Sequence, residues 1–251
     1  LLQAVDEGDT CVLATVAGVT GSAPRKAGTR LLVSARGVRH GTVGGGEVET
    51  AALASAAEML AGHDSSRTLE IATNCGGVVT VILEKFSPQR RLLVVGAGHV
   101  GKAVARAGAH AGYRVTLAAP ERPEPAPGAA TVEFLAASDP AVLDAWEGAE
   151  NTHVVIATGT AEADGAWAVA ALLRPFAGIG VVGSHGKATA IRRTAAAAGV
   201  PAERLDVLRC PVGLDLGAVT PEEIAVSIVA ELIRLDRTGE VPERWRRASR
   251  G

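Results

Sequence analysis

The sequence predicts an α/β chain in which a small mixed α+β domain is followed by a parallel sheet wrapped by helices. Three observations predict it. Residues 11–19 and 76–83 are apolar, β-rich runs that bracket an Ala-rich helical stretch from Glu47 to about residue 62. From Arg91 onward the rhythm changes, and short apolar strands alternate with Ala-rich helical stretches, the pattern of a parallel sheet covered on both faces. Between the two lies a polar segment, residues 85–90, containing Ser87-Pro88. The expected domains are therefore 1–86 and 91–251, and 251 residues are enough for two ordinary domains.

In the first domain, residues 11–19 form a strand that Gly21-Ser22-Ala23-Pro24-Arg25-Lys26 breaks. Residues 29–34 form the next strand, and Arg36-Gly37 a turn. The glycine-rich stretch 41–46 precedes the helix, and 76–83 closes the domain as a strand. In the second domain, 91–95, 113–118, 131–135, 153–158 and 178–183 read as strands, with helical patterns at 164–173 and 187–198. Residues 121–128 hold three prolines, which remove donors and fix φ, so this piece is neither a central strand nor a helix. Thr220-Pro221-Glu222-Glu223 predicts a capped helix start, with Ile224, Ile228 and Leu232 on one face of a helix running to about 235. The charged tail, 244–250, reads as a solvated end.

Composition narrows the function classes. The 25 Lys+Arg against 27 Asp+Glu leave a net charge of −2, which offers no field for nucleic acid or an anionic membrane. No apolar run approaches the ~18 residues of a spanning helix. The chain begins at Leu1, which leaves a removed targeting segment open. Cys11, Cys75 and Cys210 are an odd number without a CxxC pair, so neither a disulfide framework nor a structural zinc site is expected, and no metal ligands are assigned. A reducing cytoplasm is the expected location. Aromatics are only 3%, so the core must be built from Ala, Val and Leu, and 30 glycines suggest backbone held close to something.

Gly96-x-Gly98-x-x-Gly101 follows a strand and opens a helix. The first glycine permits a tight turn, the second lets a pyrophosphate approach the backbone, and the third lets helix and strand pack closely. The unpaired N–H groups of the helix N-terminus favour phosphate. This predicts a Rossmann-like domain binding NAD(P). The acid that usually grips the ribose is missing from the tip of the next strand, which ends Ala118-Ala119-Pro120. Glu121 could reach the ribose from farther on, or Arg122 could accept a 2′-phosphate; the second option favours NADP over NAD. His99, inside the loop, is a candidate for touching phosphate or substrate.

The pieces GVTGSAPRKAGTRLLV (18–33), GTVGGGEVE (41–49), CGGVVTVILE (75–84), LLVVGAGHVG (92–101) and PVGLDLGAVTPEEIAVSIVAEL (211–232) together resemble the XdhC/CoxI family. These are the xanthine dehydrogenase accessory proteins, described as molybdenum-cofactor chaperones. The resemblance implies binding of the molybdenum cofactor, its protection for sulfuration, and its insertion into a molybdenum hydroxylase such as xanthine dehydrogenase. It also implies self-association, for which a homodimer is expected. Several residues depart from the family pattern. A cysteine usually follows the three glycines, where this chain has Glu47, a hard carboxylate in place of a soft thiolate. The acidic strand tip of the family is Ala119-Pro120-Glu121, its His- and Asp-rich segment is Gly159-Thr160-Ala161, and its Gly-Ser-Arg-Arg-Lys is Gly183-Ser184-His185-Gly186-Lys187. Cys75 is retained.

Candidate site residues follow. Ser22 and Arg25 sit in a Gly/Pro-bounded loop, and Arg25 could clamp a phosphate or a pterin carbonyl. Gly44, Gly45 and Gly46 offer successive N–H groups as an anion nest, or else form only a tight turn before a helix. Glu47 could serve as general acid or base if burial raises its pKa. Cys75, at a turn, is a candidate ligand, whereas Cys11 and Cys210 read as structural. Ser184, His185 and Lys187 follow a strand of the parallel sheet, where ligands bind, and could contact phosphate or move protons. Asp215 either binds substrate or ties down its loop. Three functions compete: a non-catalytic carrier of the molybdenum cofactor, an NAD(P)-dependent oxidoreductase in which Glu47, His99, His185 or Lys187 moves the proton, and an interaction scaffold whose nucleotide pocket is vestigial. The first two expect the amides of the two glycine bends, 44–46 and 96–101, to converge on one phosphorylated cofactor.

Overall fold

The computed structural model describes residues 1–6, 8–22, 25–62, 64–124 and 132–240. The expected solvated tail, 244–250, and the second half of the proline segment, residues 125–128, lie outside the described residues. The chain divides into two compact units, Leu1–Pro88 and Gln89–Gly251. Among the described residues no helix is long and apolar enough to cross a membrane.

The first unit opens with a short helix α1 (Leu2–Asp6) and continues β1 (Cys11–Thr20), β2 (Arg30–Ser34), β3 (Arg39–Gly41), α2 (Gly46–Ala61), β4 (Ser66–Ala72) and β5 (Val78–Phe86). Its five strands form an antiparallel sheet in the order β3-β2-β1-β5-β4. Side chains two apart share a sheet face. Val12, Ala14 and Val16 of β1 therefore join Val79, Val81 and Leu83 of β5 in one core, closed by Val48, Ala52, Ala56 and Met59 of α2. Glu84 and Glu70 point to the other, solvated face, as antiparallel sheets allow. Cys11 is fully buried and burial pushes its thiol up, in line with a structural role.

The second unit runs β6 (Arg91–Val95), α3 (His99–His110), β7 (Arg114–Ala119), β8 (Val132–Ala136), β9 (Thr152–Ile156), α4 (Ala161–Leu172), β10 (Gly178–Val181), α5 (His185–Ala197), β11 (Leu208–Arg209) and α6 (Pro221–Thr238). All six strands are parallel, in the order β11-β10-β9-β6-β7-β8. Counted from β6, this is the 3-2-1-4-5-6 order of dinucleotide-binding sheets, with its switch point between β6 and β9. Leu93, Val95, Val154, Ile156 and Ile179 meet Trp167, Leu172 and Ile191 of α4 and α5 on one face. Leu92, Val94, Val115, Leu117 and Val155 meet Val104, Ile228 and Leu232 of α3 and α6 on the other. The mixed first unit and the Rossmann-like second unit are thus the α/β architecture that the alternation of strands and helices predicts.

Helix α6 starts as the sequence predicts. Thr220 Oγ1 accepts the N–H of Glu223 at 3.2 Å, and Glu223 Oε2 accepts the N–H of Thr220 at 3.0 Å, a complete capping box. Near its other end Asp236 gathers three elements at the amino end of the sheet. Tyr113 Oη donates to Asp236 Oδ2 at 2.6 Å, His153 Nε2 lies 2.8 Å from Oδ1, and Arg90 approaches Oδ1 at 3.4 Å. Burial alone would raise the Asp236 pKa. The His153 bond and charge, with Tyr113 and Arg90, outweigh it and hold the carboxyl below its ordinary value. Burial, then the bond and charge of Asp236, push the Tyr113 phenol up.

Asp236→Asn keeps the shape of this latch and removes its charge. The expected loss is about 2 kcal/mol from the second unit near neutral pH. A depressed folded pKa contributes fully above the unfolded carboxyl value of about 3.9 and is lost as pH falls through the lower folded value. Urea unfolding should therefore separate wild type from variant at pH ~7 and bring them together near pH ~2. Equal stability at neutral pH would contradict the latch.

Candidate functional site

The carboxyl end of β6 makes the first half of the site. Gly96 has φ +106°, and a Cβ there would run into the carbonyl of Ala157 on the neighbouring β9 loop. A Cβ at Gly101 would strike the carbonyl of Gly96, so the third glycine is needed for the helix to close on the turn. Gly98, between them, faces open space. The first bond into α3 is Lys102 N–H to Gly98 carbonyl, at 2.9 Å. The N–H groups of Gly98, His99 and Val100 therefore find no protein acceptor among the described residues. These amides, at the positive end of a helix and beside the switch point, are donors of the kind an anion takes and make this loop the candidate anion site. His99, the first residue of the helix, is exposed. Beyond β7 the tip is apolar, with Ala118 and Ala119 buried and Glu121 exposed. The Arg122 guanidinium sits 5.1 Å from the centre of the Phe134 ring. Stacking on an aromatic face leaves a guanidinium's donor edge available.

The loops after β9 and β10 supply the second half, through a residue the sequence reading did not single out. Asp164, only 1% exposed, accepts from Thr158 N at 2.8 Å and Thr158 Oγ1 at 2.6 Å through Oδ1. Its Oδ2 accepts from Lys187 Nζ at 2.6 Å, and Lys187 also donates to the Val182 carbonyl at 3.0 Å. Lys187 is thus paired rather than a free counter-charge. Ser184 caps α5, its Oγ accepting the Lys187 N–H at 3.4 Å, so the hydroxyl already has a structural task. His185 is half-buried, and its Nε2 is buried without a hydrogen-bond partner among the described residues. Cys210 Sγ lies 3.5 Å from the Ser184 carbonyl; burial pushes its thiol up to about 11. Such a thiol stays protonated near neutrality, in keeping with a structural role.

In the first unit several candidates separated in sequence come together. The Ser22 carbonyl accepts from Thr73 Oγ1 at 3.2 Å, so Ser22 meets the 73–77 turn through its backbone. Glu47 Oε1 accepts the Asn74 N–H at 2.6 Å and Oε2 accepts Asn74 Nδ2 at 3.2 Å. This fastens the turn carrying the exposed Cys75 to the start of α2. Arg25 is exposed, and residues 23–24 before it lie outside the described residues.

Two expectations for this unit are corrected. The bend at Gly44–Gly46 is not a bare nest, because Gly44 N–H donates to Thr42 Oγ1 at 3.1 Å and Gly45 N–H to Glu49 Oε2 at 3.3 Å. Thr42 Oγ1 also donates to Glu49, whose carboxyl is held low first by that bond. An anion is already present, and it is the protein's own carboxylate. Glu47 is exposed rather than buried, and the Asn74 backbone N–H foremost holds its carboxyl below the ordinary value. The raised pKa needed for acid–base work near neutrality is the opposite of this. Nor does Asp215 tie its loop down among the described residues: it is exposed, and the loop is held by Gly213 N–H to Glu231 Oε2 at 2.7 Å and Leu214 N–H to the Ser227 carbonyl at 3.1 Å. An NMR titration of the Glu47 side-chain carboxyl should show a midpoint below that of an ordinary glutamate. A midpoint shifted above it would restore Glu47 as an acid–base candidate.

Comparison with known proteins now has a geometry to rest on. The model of the XdhC Rossmann domain matches residues 92–232, and that of the XdhC and CoxI family matches residues 4–71. The chain is 30% identical over 237 residues, 89% of its length, to the uncharacterized protein YqeB of Escherichia coli (strain K12), and spans 43% of that relative. It shares a fold with a structure described as a xanthine dehydrogenase from Bacillus halodurans, at TM-score 0.52 and 20% identity, over 97% of this chain and 98% of the other. By the two domain models and their order along the chain, this protein belongs to the XdhC and CoxI family.

Proposed function

We propose that the chain is a cofactor-binding accessory protein for a molybdenum hydroxylase such as xanthine dehydrogenase, and that its second unit grips the phosphate of an organic cofactor. The observation that carries this reading is the set of uncovered N–H groups at Gly98, His99 and Val100, together with the open space beside Gly98. Helix amides of this kind suit the phosphate of the molybdenum cofactor as well as the pyrophosphate of a dinucleotide. Within the first unit taken by itself, the exposed Cys75 is a soft donor of the kind a molybdenum–sulfur group takes, and the exposed Arg25 is a donor of the kind a pterin carbonyl takes. Glu47, engaged with Asn74, keeps the turn of Cys75 in place and does not substitute for a thiolate. When bound, the molybdenum cofactor would supply the redox centre of the recipient enzyme; this chain's residues hold and shield it. We further propose a cytoplasmic homodimer, a setting in which the three free cysteines stay reduced.

A second reading, an NAD(P)-dependent oxidoreductase, is favoured by the switch-point geometry and by the available edge of Arg122, which suits the 2′-phosphate of NADP. Its proton carrier would be His99, His185 or Lys187, since Glu47 is held ionised.

Calorimetric titration of the full chain with molybdenum cofactor, NADH and NADPH separates the readings. The carrier reading expects saturable molybdenum-cofactor binding and reconstitution of a cofactor-free hydroxylase. Gly98→Asp, which sets charge and bulk against the phosphate, should abolish binding at least a hundredfold while leaving the circular dichroism unchanged. No cofactor binding by an intact fold would overturn the carrier, and no nicotinamide binding at millimolar concentration would overturn the oxidoreductase.

A further inference from the structure

The pair Asp164 and Lys187 has no part in the anion site, yet it stands on the same edge of the sheet. Lys187 follows β10 and Thr158 follows β9, so both lie at the carboxyl ends of their strands. In the sheet order, β10 is two strands from β6. At ~4.8 Å per strand, the carboxyl end of β10 is about 10 Å from that of β6. A ligand whose phosphate rests on those amides and which extends away from β7 brings its far end to this pair.

The electrostatics of the pair limit what that far end can be. The Asp164 carboxylate is buried and contacts the ammonium at 2.6 Å, so the two charges cancel locally. A free lysine would recruit a second phosphate or a carboxylate. Here, an arriving anion would meet an ammonium already matched by a carboxylate that cannot turn away, because Thr158 holds Oδ1 by two bonds. What remains is a directed donor. Two of the three ammonium N–H groups are used, on Asp164 and on the Val182 carbonyl, and the side chain keeps 20% exposure. The lysine stem is fixed too, since it runs over Gly183, where a Cβ would stand 2.7 Å from Cδ and 3.1 Å from Nζ.

We propose that Lys187 hydrogen-bonds an uncharged carbonyl carried on a ring at the far end of the ligand, and that Asp164 is the positioning residue that aims the ammonium and excludes an anionic group there. This rests on the reading that the glycine loop holds the ligand's phosphate. The chemistry is shared by the carboxamide of a nicotinamide and the ring carbonyl of a pterin, and it sets the far end apart from a second phosphate.

Two matched probes test it on the full chain by calorimetry. NAD⁺ and nicotinic acid adenine dinucleotide differ by a carboxamide against a carboxylate, and 6-hydroxymethylpterin diphosphate presents the pterin instead; ADP-ribose lacks the ring. Wild type is expected to bind one of the two carbonyl-bearing rings, the tighter of the two identifying the source, and to prefer carboxamide over carboxylate by about tenfold. Asp164→Asn uncovers the ammonium and should reverse that preference. Lys187→Met should lower affinity for NAD⁺ to that of ADP-ribose, or for the pterin diphosphate to that of inorganic pyrophosphate, with these ring-free probes themselves unchanged, and Lys187→Arg should restore part of the loss. A merely structural pair would weaken all probes alike, and that result overturns the proposal, as does an amide-over-acid ratio that stays the same in Asp164→Asn. Should Asp164→Asn not fold, the Lys187→Met ratios decide. Loss of all binding in Gly98→Asp alongside unchanged ratios at 164 and 187 removes this inference alone. If wild type binds none of the probes, or Gly98→Asp binds them unimpaired, the phosphate reading falls and this inference with it.

Discussion

At the end of β6 the backbone has to pass so close to its neighbours that side chains are forbidden, and everything functional in the second unit depends on that approach. The Ala157 carbonyl occupies the place of a Gly96 side chain, and the Gly96 carbonyl occupies that of Gly101. Helix α3 can then begin within three residues of the strand, its first amides uncovered. The same closeness links the loops. Gly96 packs against the β9 loop, Thr158 of that loop holds Asp164, and Asp164 holds Lys187 on the β10 side. Three loops from neighbouring strands therefore form one edge, with the open amides of α3 on one loop and the charge-paired Lys187 on another.

The first glycine bend solves a different problem with similar residues. Gly44 and Gly45 give their amides to Thr42 and to Glu49, which stands in the first turn of α2 where a carboxylate also suits the helix dipole. In the first bend two amides are held from within, while in the other the amides opening α3 have no acceptor among the described residues. Runs of glycine look alike in a sequence; the difference lies in an acid three residues beyond Gly46. Glu47, in the position where the family carries a cysteine, is likewise spent on structure, fastening the turn of Cys75 to the helix.

Much of the fold was legible because it rests on local patterns. The alternating residues of β1 and β5, the glycine spacing after β6 and the Thr220 capping box each announce their structure within a few residues. Strand β4 was not legible: Ser66–Ala72 alternates, but its outward positions are Thr and Glu and its inward ones include Arg67, which pairs with Asp64 and Glu58. Strand β3, three exposed residues long, is set by its pairing with β2 rather than by its own pattern. The polar centres were the least legible. Asp164 finds Lys187 23 residues away, and Asp236 finds His153 and Tyr113 at separations of 83 and 123 residues. An acid in a helix reads as a solvated face until the fold brings a partner to it. Lys187 itself was found from its place after a strand, but not its neutralisation, which decides what it can bind.

The central claim, that the amides opening α3 are the anion site of this protein, is tested most directly by amide NMR shifts during titration with inorganic pyrophosphate. The account predicts saturable shifts centred on Gly98, His99 and Val100, with Gly44 and Gly45 unmoved because Thr42 and Glu49 already hold them. Shifts centred on the first bend, or none at the start of α3, would contradict it.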